Sequence, residues 1–217
     1  MNNKENIFLI EAVDGVGKDS VVARMVERGI LGSDFEVRKG RMSSRSNPFD
    51  KGAIELFMKS RPLELLPEKS LPVAMGTLWD LCQINGGENS NQKIAQVSLS
   101  VLRSFAFYSA LGSEYDQQAD FFRNLADHYP KPQLSIVLNA SEEERKKRLL
   151  SKNNMTSFDR LAFSHPELVA TLNDNLLDLS RLVFSSIIIE TTSKSIDEIV
   201  DEIASLKKGA ELWVNKK

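Results

Sequence analysis

Short apolar runs alternate along this chain with segments whose apolar residues recur every three or four positions. The run NIFLIEAV is apolar and rich in branched side chains, which is typical of a strand. The following segment, DSVVARMVERG, has a helical spacing of apolar residues and ends in a glycine, which predicts a helix. Gly15 and Gly17 therefore lie in a predicted turn between a strand and a helix.

The alternation of strands and helices continues along the rest of the chain. Helices are predicted for VAMGTLWDLCQ, for residues 114–128, and after each of the last two strands. Because strands of this kind are apolar without interruption, we expect them to be buried on both faces. Such strands imply a parallel sheet with helices on both sides. The further predicted strands are DFEVRKG, QVSLSVL ending near Leu102, QLSIVLNA and SSIIIETT.

Three predicted helix starts carry a serine followed three residues later by a glutamate. This spacing is typical of a capping box, in which each side chain accepts a hydrogen bond from a backbone N–H of the other residue. The pairs are Ser141 with Glu144, Ser164 with Glu167, and Ser195 with Glu198.

The composition restricts the possible partners. With 217 residues the chain has room for a buried core, and we expect one domain spanning 1–217. Its formal net charge of -2 offers no global attraction to nucleic acid or to an anionic membrane, so we expect neither as a partner. No apolar run approaches the roughly 18 residues that a membrane span requires.

The scarce cysteine and histidine residues bear on metal binding and on location. Cys82 is the single cysteine, which excludes an internal disulfide framework and favours a reducing cytoplasm. His128 and His165 lack metal-ligand spacing, so we expect both at surface or cap positions.

The segment EAVDGVGKDS is the strongest chemical signal in the sequence. A strand that turns through glycines into a helix directs backbone N–H groups and the positive helix end at one point, which favours a phosphate. The segment follows the pattern G-x-x-x-x-G-K-[ST] with two departures, Ala12 for the first glycine and Asp19 for the hydroxyl residue. The predicted nucleotide-binding residues are Asp14, Gly15, Val16, Gly17, Lys18, Asp19 and Ser20.

Neither departure removes the chemistry of the loop. Ala12 is tolerated if its φ is negative, and Asp19 still offers an oxygen ligand to a hard cation such as Mg²⁺, with Ser20 as the second candidate. Two alternatives stay open, namely a chance glycine turn and a degraded loop that binds weakly.

The stretch IFLIEAVDGVGKDS resembles the start of thymidylate kinases and related P-loop deoxynucleotide kinases. Later segments continue the resemblance in order: QLSIVLNASEEERKKRLLSK is similar to the strand and lid-leading helix, and SFDRLAFSHPELVATLNDNLLDL to the helix after the lid. SIIIETTSKSIDEIVDEIASLKK is similar to the final strand, adenine-side loop and helix. The resemblance implies a three-layer P-loop kinase fold, α/β with a parallel sheet flanked by helices on both faces, and a short lid at about 145–160.

The resemblance also implies roles for individual residues. ATP would be the phosphate donor, with Mg²⁺, and a nucleotide the small-molecule substrate. Lys18, Arg103 and Arg148 would be catalytic, and Lys152 would join the donor site. The acceptor would be held by Arg41, Arg45, Arg103, Trp79 and Gln83. Trp79 and Gln83 are one helical turn apart, so both would face the acceptor base.

Two positions depart from the family pattern: Leu102 stands where an acid is expected before Arg103, and Gln83 stands where an arginine is usual. From the ordered matches we expect an ATP-dependent nucleoside monophosphate kinase, with dTMP as the favoured acceptor. A deoxynucleoside kinase and a nucleotide-binding protein without turnover are the alternatives. The resemblance also makes a homodimer plausible.

Overall fold

The computed structural model describes residues 7–39, 49, 75–76, 78–79, 93–97, 101–155 and 157–214. Within these ranges the strands are β1 (Ile7–Glu11), β2 (Phe35–Lys39), β3 (Lys93–Val97), β4 (Leu134–Asn139) and β5 (Ile187–Glu190). The helices are α1 (Lys18–Glu27), α2 (Val101–Ala110), α3 (Asp116–His128), α4 (Glu142–Leu150), α5 (Ser157–Ser164), α6 (Pro166–Phe184) and α7 (Ile196–Val214). A 3₁₀ turn, Ser113–Tyr115, precedes α3.

The strands form one parallel sheet in the order β2-β3-β1-β4-β5, which confirms the predicted fold class. α1 packs against α7, and α2 packs against α3 and α6. β1 and β4 carry the centre of the core, where Ile10, Ile136 and Leu138 are completely buried. The chain runs from β1 to one side of the sheet and then to the other, so the carboxyl end of β1 lies where parallel sheets open a ligand crevice.

β5 differs from its prediction as a strand buried on both faces. It lies at the edge of the sheet, where Ile187 is 37% exposed and Ile189 is fully buried. An apolar run reports that a strand is hydrophobic but not which neighbours it has, so position in the sheet could not be read from it.

The predicted strand QVSLSVL is also wrong at its carboxyl end. β3 ends at Val97 and α2 begins at Val101, so Leu102 lies in the first turn of a helix. Its side chain is only 1% exposed and belongs to the core. Alternating apolar residues at 97, 99 and 101 mimic a strand, but packing of α2 against α3 and α6 makes the later part helical.

One of the three predicted capping boxes forms completely, because Ser195 and Glu198 exchange reciprocal backbone-to-side-chain hydrogen bonds. A second forms only in half. The Glu144 N–H donates to Ser141 Oγ, but the Ser141 N–H donates to Thr192 Oγ1 and the Glu144 carboxylate accepts from Arg148. The box at Ser164 is wrong, because Ser164 ends α5 and donates to the carbonyl of Arg160.

A helix boundary at His165 replaces the failed box. His165 is the N-cap residue of α6 and Pro166 follows at its first position, where proline fits because its missing N–H has no helical partner. The segment predicted as one helix after the lid is therefore two. His128, at the exposed end of α3, and His165 occupy the surface and cap positions expected of them.

Helix α3 and the described part of the middle segment agree with the predicted helices. α3 confirms the helix predicted for 114–128, and residues 75–76 and 78–79 are helical within VAMGTLWDLCQ. Cys82 lies outside the described residues. Across the part of the chain that the structure describes, every helix is too short or too polar to span a membrane.

The two serines with the same sequence spacing should respond differently to substitution. We expect Ser195→Ala to lower the free energy of unfolding by about 1 kcal/mol, because the Glu198 N–H loses its acceptor. Ser164→Ala is the matched control and should change it by less than about 0.5 kcal/mol, since Ser164 caps no helix. Urea unfolding monitored by circular dichroism measures both, and equal losses would contradict the assignment of the caps.

Candidate functional site

The loop between β1 and α1 turns sharply through two glycines. Gly15 has φ 85° and Gly17 has φ 94°, and Gly17 is the N-cap residue of α1. Among the described positions, Ser185 is the non-glycine residue with a positive φ, so the φ of Ala12 is negative. Alanine can therefore occupy position 12 without backbone strain. The first N–H groups of α1 have no helical acceptor and are available to an anion at this turn.

Helix α4 lies directly against this loop. A Cβ on Gly15 would stand 2.8 Å from the carbonyl oxygen of Arg145, 3.0 Å from the Leu149 side chain and 3.1 Å from the Arg145 Cβ. Position 15 therefore requires glycine for two reasons: its φ is positive, and α4 leaves no space for a Cβ.

Arg103 reaches from α2 to the start of the loop. Its guanidinium donates to the carbonyl of Ala12 and, at 2.8 Å, to a carboxylate oxygen of Asp14. It also lies 3.8 Å from the buried carboxylate of Glu11. These contacts place Arg103 on the loop from a helix rather than at the end of a strand, which corrects the predicted setting of this residue. Its predicted contact with an acceptor phosphate stays a prediction.

The charges around Arg103 fix the ionisation of the loop. Burial would raise the pKa of Asp14, but the charges of Arg103 and Lys18 outweigh it and hold that pKa below its ordinary value. Burial lowers the pKa of Lys18, and the charge of Arg103 lowers it further, against the opposing effect of the nearby carboxylates. The loop therefore keeps Asp14 ionised and places a second cation, Lys18, beside it.

Lys18 borders a cavity of about 460 Å³ above the loop. Asp19 and Ser20, both exposed in the first turn of α1, also line it. The cavity is also lined by residues of α4 and of the segment after β5. Its charged and hydroxyl-bearing lining includes Lys18, Asp19, Ser20, Arg148, Lys152 and Lys194.

Arg148 ties the loop to the segment after β5. Its guanidinium donates to the Val16 carbonyl at 2.6 Å and to the Thr191 carbonyl at 2.9 Å, while Glu144 accepts from its Nε at 2.9 Å. Lys152, one turn further on, pairs at 2.8 Å with the fully buried carboxylate of Asp159. Both predicted cations therefore border the cavity, and each has partners within the protein.

A second set of contacts joins the ends of β4 and β5. One carboxylate oxygen of Glu190 accepts from the N–H groups of Thr191 and Thr192, and the other accepts from Asn139 at 2.9 Å. Burial would raise the pKa of Glu190, but the hydrogen bond from the Thr192 hydroxyl, together with those from the two N–H groups and Asn139, outweighs it and lowers that pKa. The turn that brings Lys194 to the cavity is held in place by this carboxylate.

The acceptor residues predicted from the middle of the chain are only partly described. Trp79 is half-buried, and its indole Nε1 is buried without a hydrogen-bond partner. Its ring meets Phe49 edge to face at 6.4 Å. Arg41, Arg45 and Gln83 lie outside the described residues.

The donor set near the loop suits a hard cation. Asp19 and Ser20 present a carboxylate and a hydroxyl to the cavity, and hard cations prefer oxygen ligands. Within the described ranges, no group of three or more Asp, Glu, His or Cys residues is arranged to hold a metal by protein ligands alone. The residues present therefore fit Mg²⁺ that shares its coordination with phosphate oxygens and water.

Sequence reasoning missed the supporting contacts of the site. Thr191, Glu190 and Arg145 were not candidates, although Asn139 and Glu190 are polar residues that end two apolar strands. Polar residues at the carboxyl ends of adjacent parallel strands are a signal that could have identified the first contacts. The burial of Arg145 has no comparable sign in the sequence.

The strand order and the glycine loop between the central strand and α1 define the class: an α/β protein with the P-loop nucleotide kinase fold. No family model matches the chain. In sequence it is 26% identical over 208 residues to a probable thymidylate kinase of Sulfolobus acidocaldarius, covering 92% of this chain and 95% of that protein.

Solved structures agree with this resemblance at the level of the fold. The thymidylate kinase of Candida albicans superposes with a TM-score of 0.72 at 16% identity, covering 96% of this chain and 93% of that one. A deoxyadenosine kinase of M. mycoides with bound dCTP has a TM-score of 0.61 at 14% identity, covering 94% and 99%. The particular resemblance to thymidylate kinases is therefore confirmed, and the fold is shared with deoxynucleoside kinases.

Substitution of Gly15 tests the contact between the loop and α4. Gly15→Ala should lower the free energy of unfolding by about 1–2 kcal/mol for its positive φ and by about 1–3 kcal/mol more for overpacking. Gly29→Ala is the matched control, because Gly29 has φ 65° with nothing within 4 Å of an added Cβ, and only the first cost applies. Denaturant unfolding measures both variants. Equal losses would show that α4 does not press on the loop.

Proposed function

We propose that this protein is a nucleotide kinase that transfers the γ-phosphoryl group of ATP to a nucleoside monophosphate, with dTMP as the favoured acceptor. The observation that carries the proposal is the position of Lys18, at the turn from a glycine loop into α1 and at the edge of a cavity bordered by further cations. The thymidylate kinase relative, which aligns over nearly the whole chain, supports the choice of acceptor.

The donor phosphates would lie against the loop. The N–H groups of residues 14–19 and the Lys18 ammonium would bind the β- and γ-phosphates, which need positioning and charge neutralisation rather than covalent help. Arg148 would hold the loop in its binding conformation through Val16, and Lys152 would stand at the cavity edge. We place the lid of the enzyme at about 145–160, which includes both residues.

Asp19 and Ser20 would hold Mg²⁺ at the same end of the cavity. When bound, the ion would neutralise charge on the phosphates and help to orient them. The carboxylate of Asp19 would otherwise repel the phosphates, so its place beside Lys18 is explained by a cation between them.

The acceptor base would lie against Trp79. An unpaired indole N–H that is buried costs about 1–3 kcal/mol, and an acceptor on the ligand would recover it. Gln83 would contact the base edge, while Arg41, Arg45 and Arg103 would hold the acceptor phosphate. The support for this half of the site is Trp79 together with the family resemblance.

A monophosphate acceptor fits the loop better than a nucleoside hydroxyl. A hydroxyl acceptor is helped by a general base whose pKa lies near the working pH. The pKa of Asp14 is held below its ordinary value by Arg103 and Lys18, which makes this carboxylate a weak base. A deoxynucleoside kinase, the function named for one of the structural neighbours, is therefore the second candidate.

The decisive experiment measures ADP formation with a panel of acceptors. The wild-type protein, with ATP and Mg²⁺, should turn over dTMP faster than other deoxynucleoside monophosphates and faster than deoxynucleosides. Turnover of deoxynucleosides alone would assign the second candidate. ATP binding with no turnover of any acceptor would identify a binding protein and overturn the kinase proposal.

Lys18→Met tests the role of the loop lysine. One charge-assisted contact to phosphate is worth about 1.5–3 kcal/mol, so ATP affinity should fall roughly 10- to 150-fold. Lys208→Met is the matched control, because Lys208 is exposed on α7 and distant in sequence from the loop. Calorimetric titration with ATP measures both, and an unchanged affinity in Lys18→Met would overturn the assignment of the loop.

Trp79 should affect the acceptor and not the donor. Stacking of a base on an aromatic ring is worth about 1–3 kcal/mol, so Trp79→Ala should raise the KM for dTMP roughly 5- to 150-fold with the KM for ATP unchanged. Trp79→Phe retains a ring but lacks the N–H, so its KM for dTMP should lie between those of wild type and Trp79→Ala. Steady-state kinetics with each substrate varied in turn measures the effect, and equal changes in both KM values would contradict this role.

Two properties of the whole protein are also proposed. We expect a homodimer and a cytoplasmic location, with support from the family resemblance and from the single cysteine, Cys82. Light scattering at micromolar concentration measures the first.

A further inference from the structure

Arg145 is a buried guanidinium without a partner. It lies on α4 with 5% of its surface exposed, and its Nε is buried with no hydrogen-bond acceptor. Across the described parts of the chain, its side chain forms neither a hydrogen bond nor an ion pair. Since buried charged groups are almost always paired, this side chain requires an explanation.

The carboxylates around Arg145 do not neutralise it. Glu142 on α4, Asp174 on α6 and Asp14 on the loop all act on its pKa from a distance. Glu142 is paired with Lys146 at 2.6 Å and Asp14 with Arg103 at 2.8 Å, while Asp174 is exposed to solvent. Burial lowers the pKa of Arg145, yet a guanidinium stays protonated at neutral pH.

The position of Arg145 connects it with the loop. Its Cβ lies 3.1 Å from the place where a Gly15 Cβ would stand, so its side chain starts beside the phosphate-binding turn. Its backbone carbonyl also faces Gly15, 2.8 Å from the same place, so the loop and this turn of α4 are in direct contact.

Arg103 of α2, Arg148 of α4 and Lys152, which follows α4, already have partners within the protein. Arg103 binds Asp14, Arg148 binds Val16 and Thr191, and Lys152 binds Asp159. These contacts hold the loop and its surroundings in shape. Arg145 therefore has a full complement of donors to offer to an incoming anion, whereas Arg103, Arg148 and Lys152 would have to exchange contacts within the protein.

We propose that Arg145 is an anion-binding residue that donates to a phosphate oxygen of a nucleotide held at the loop. The inference rests on the proposed nucleotide site and adds to it a residue from the buried side of α4. A guanidinium offers a planar fork of N–H donors that matches two phosphate oxygens, and a lysine cannot reproduce that geometry. The phosphate comes either from the donor or from the acceptor nucleotide, and separate probes distinguish these sources.

The proposal predicts opposite effects on stability and on binding. Without a ligand, Arg145→Met removes an unpaired buried charge and should raise the Tm by a few degrees. Its affinity for at least one of pyrophosphate, ADP and dTMP should fall 10-fold or more, and the Tm rise that this ligand produces should shrink. Arg145→Lys should regain only part of the affinity.

Arg181→Met is the matched control, because Arg181 is 57% exposed on α6 and pairs with Asp178. Calorimetric titration and thermal unfolding with the three probes are carried out on all four proteins. Weaker binding of ADP and pyrophosphate alone assigns the phosphate to the donor, and weaker binding of dTMP alone assigns it to the acceptor.

Affinities of Arg145→Met equal to those of wild type for all three probes would overturn the proposal, whatever its Tm. Should that variant fail to fold, Arg145→Lys decides by the same measurement, and unchanged affinities overturn the proposal. Binding of the probes without turnover would contradict the proposed kinase function, whereas the affinities of the Arg145 variants would still decide the role of Arg145. Wild-type protein that binds no probe would overturn both.

Discussion

The whole site depends on the absence of a side chain at position 15. α4 approaches the loop so closely that an added Cβ on Gly15 would meet the Arg145 carbonyl at 2.8 Å. This contact brings residues 145, 148 and 149 of α4 over the loop, since residues three and four apart share a helix face, and Lys152 follows just beyond the end of the helix. The close approach of α4 to Gly15 therefore sets the position of Arg148 at the cavity and of the buried Arg145 beside the loop.

The second constraint is the distribution of charge. Arg103 and Arg148 donate to backbone carbonyls of the loop, at Ala12 and Val16. These cations therefore fix the conformation of the loop and also make the electrostatic potential around it more positive. These carbonyl oxygens already accept hydrogen bonds within the protein, while the first N–H groups of α1 remain available to a phosphate. Such preorganisation reduces the rearrangement needed when charge enters the site.

Local features of this fold could be predicted from the sequence, and distant ones could not. β1, the glycine loop and α1 are contiguous, so their pattern predicts both the elements and the phosphate chemistry. The contacts of Arg148 join residues 132 and 43 positions away, which no local pattern reports. At Ser164 the capping pattern was present, but Pro166 placed the helix start one residue later. At Leu102 the alternation continued past the strand, and packing of α2 decided the structure.

The bridge between Val16 and Thr191 has a consequence for the order of folding. The Thr191 hydroxyl lies 3.4 Å from the Val16 carbonyl oxygen across 175 positions of sequence, and Arg148 donates to the backbone carbonyls of both residues. Such a contact requires both segments to have been synthesised and brought together, and closing so long a loop costs conformational entropy. The loop is synthesised early, yet it is locked only after β5 has joined the sheet. Phosphate recognition by this loop is thus a property of the finished chain, and a nascent chain that ends before β5 carries the motif without the contacts that hold its shape.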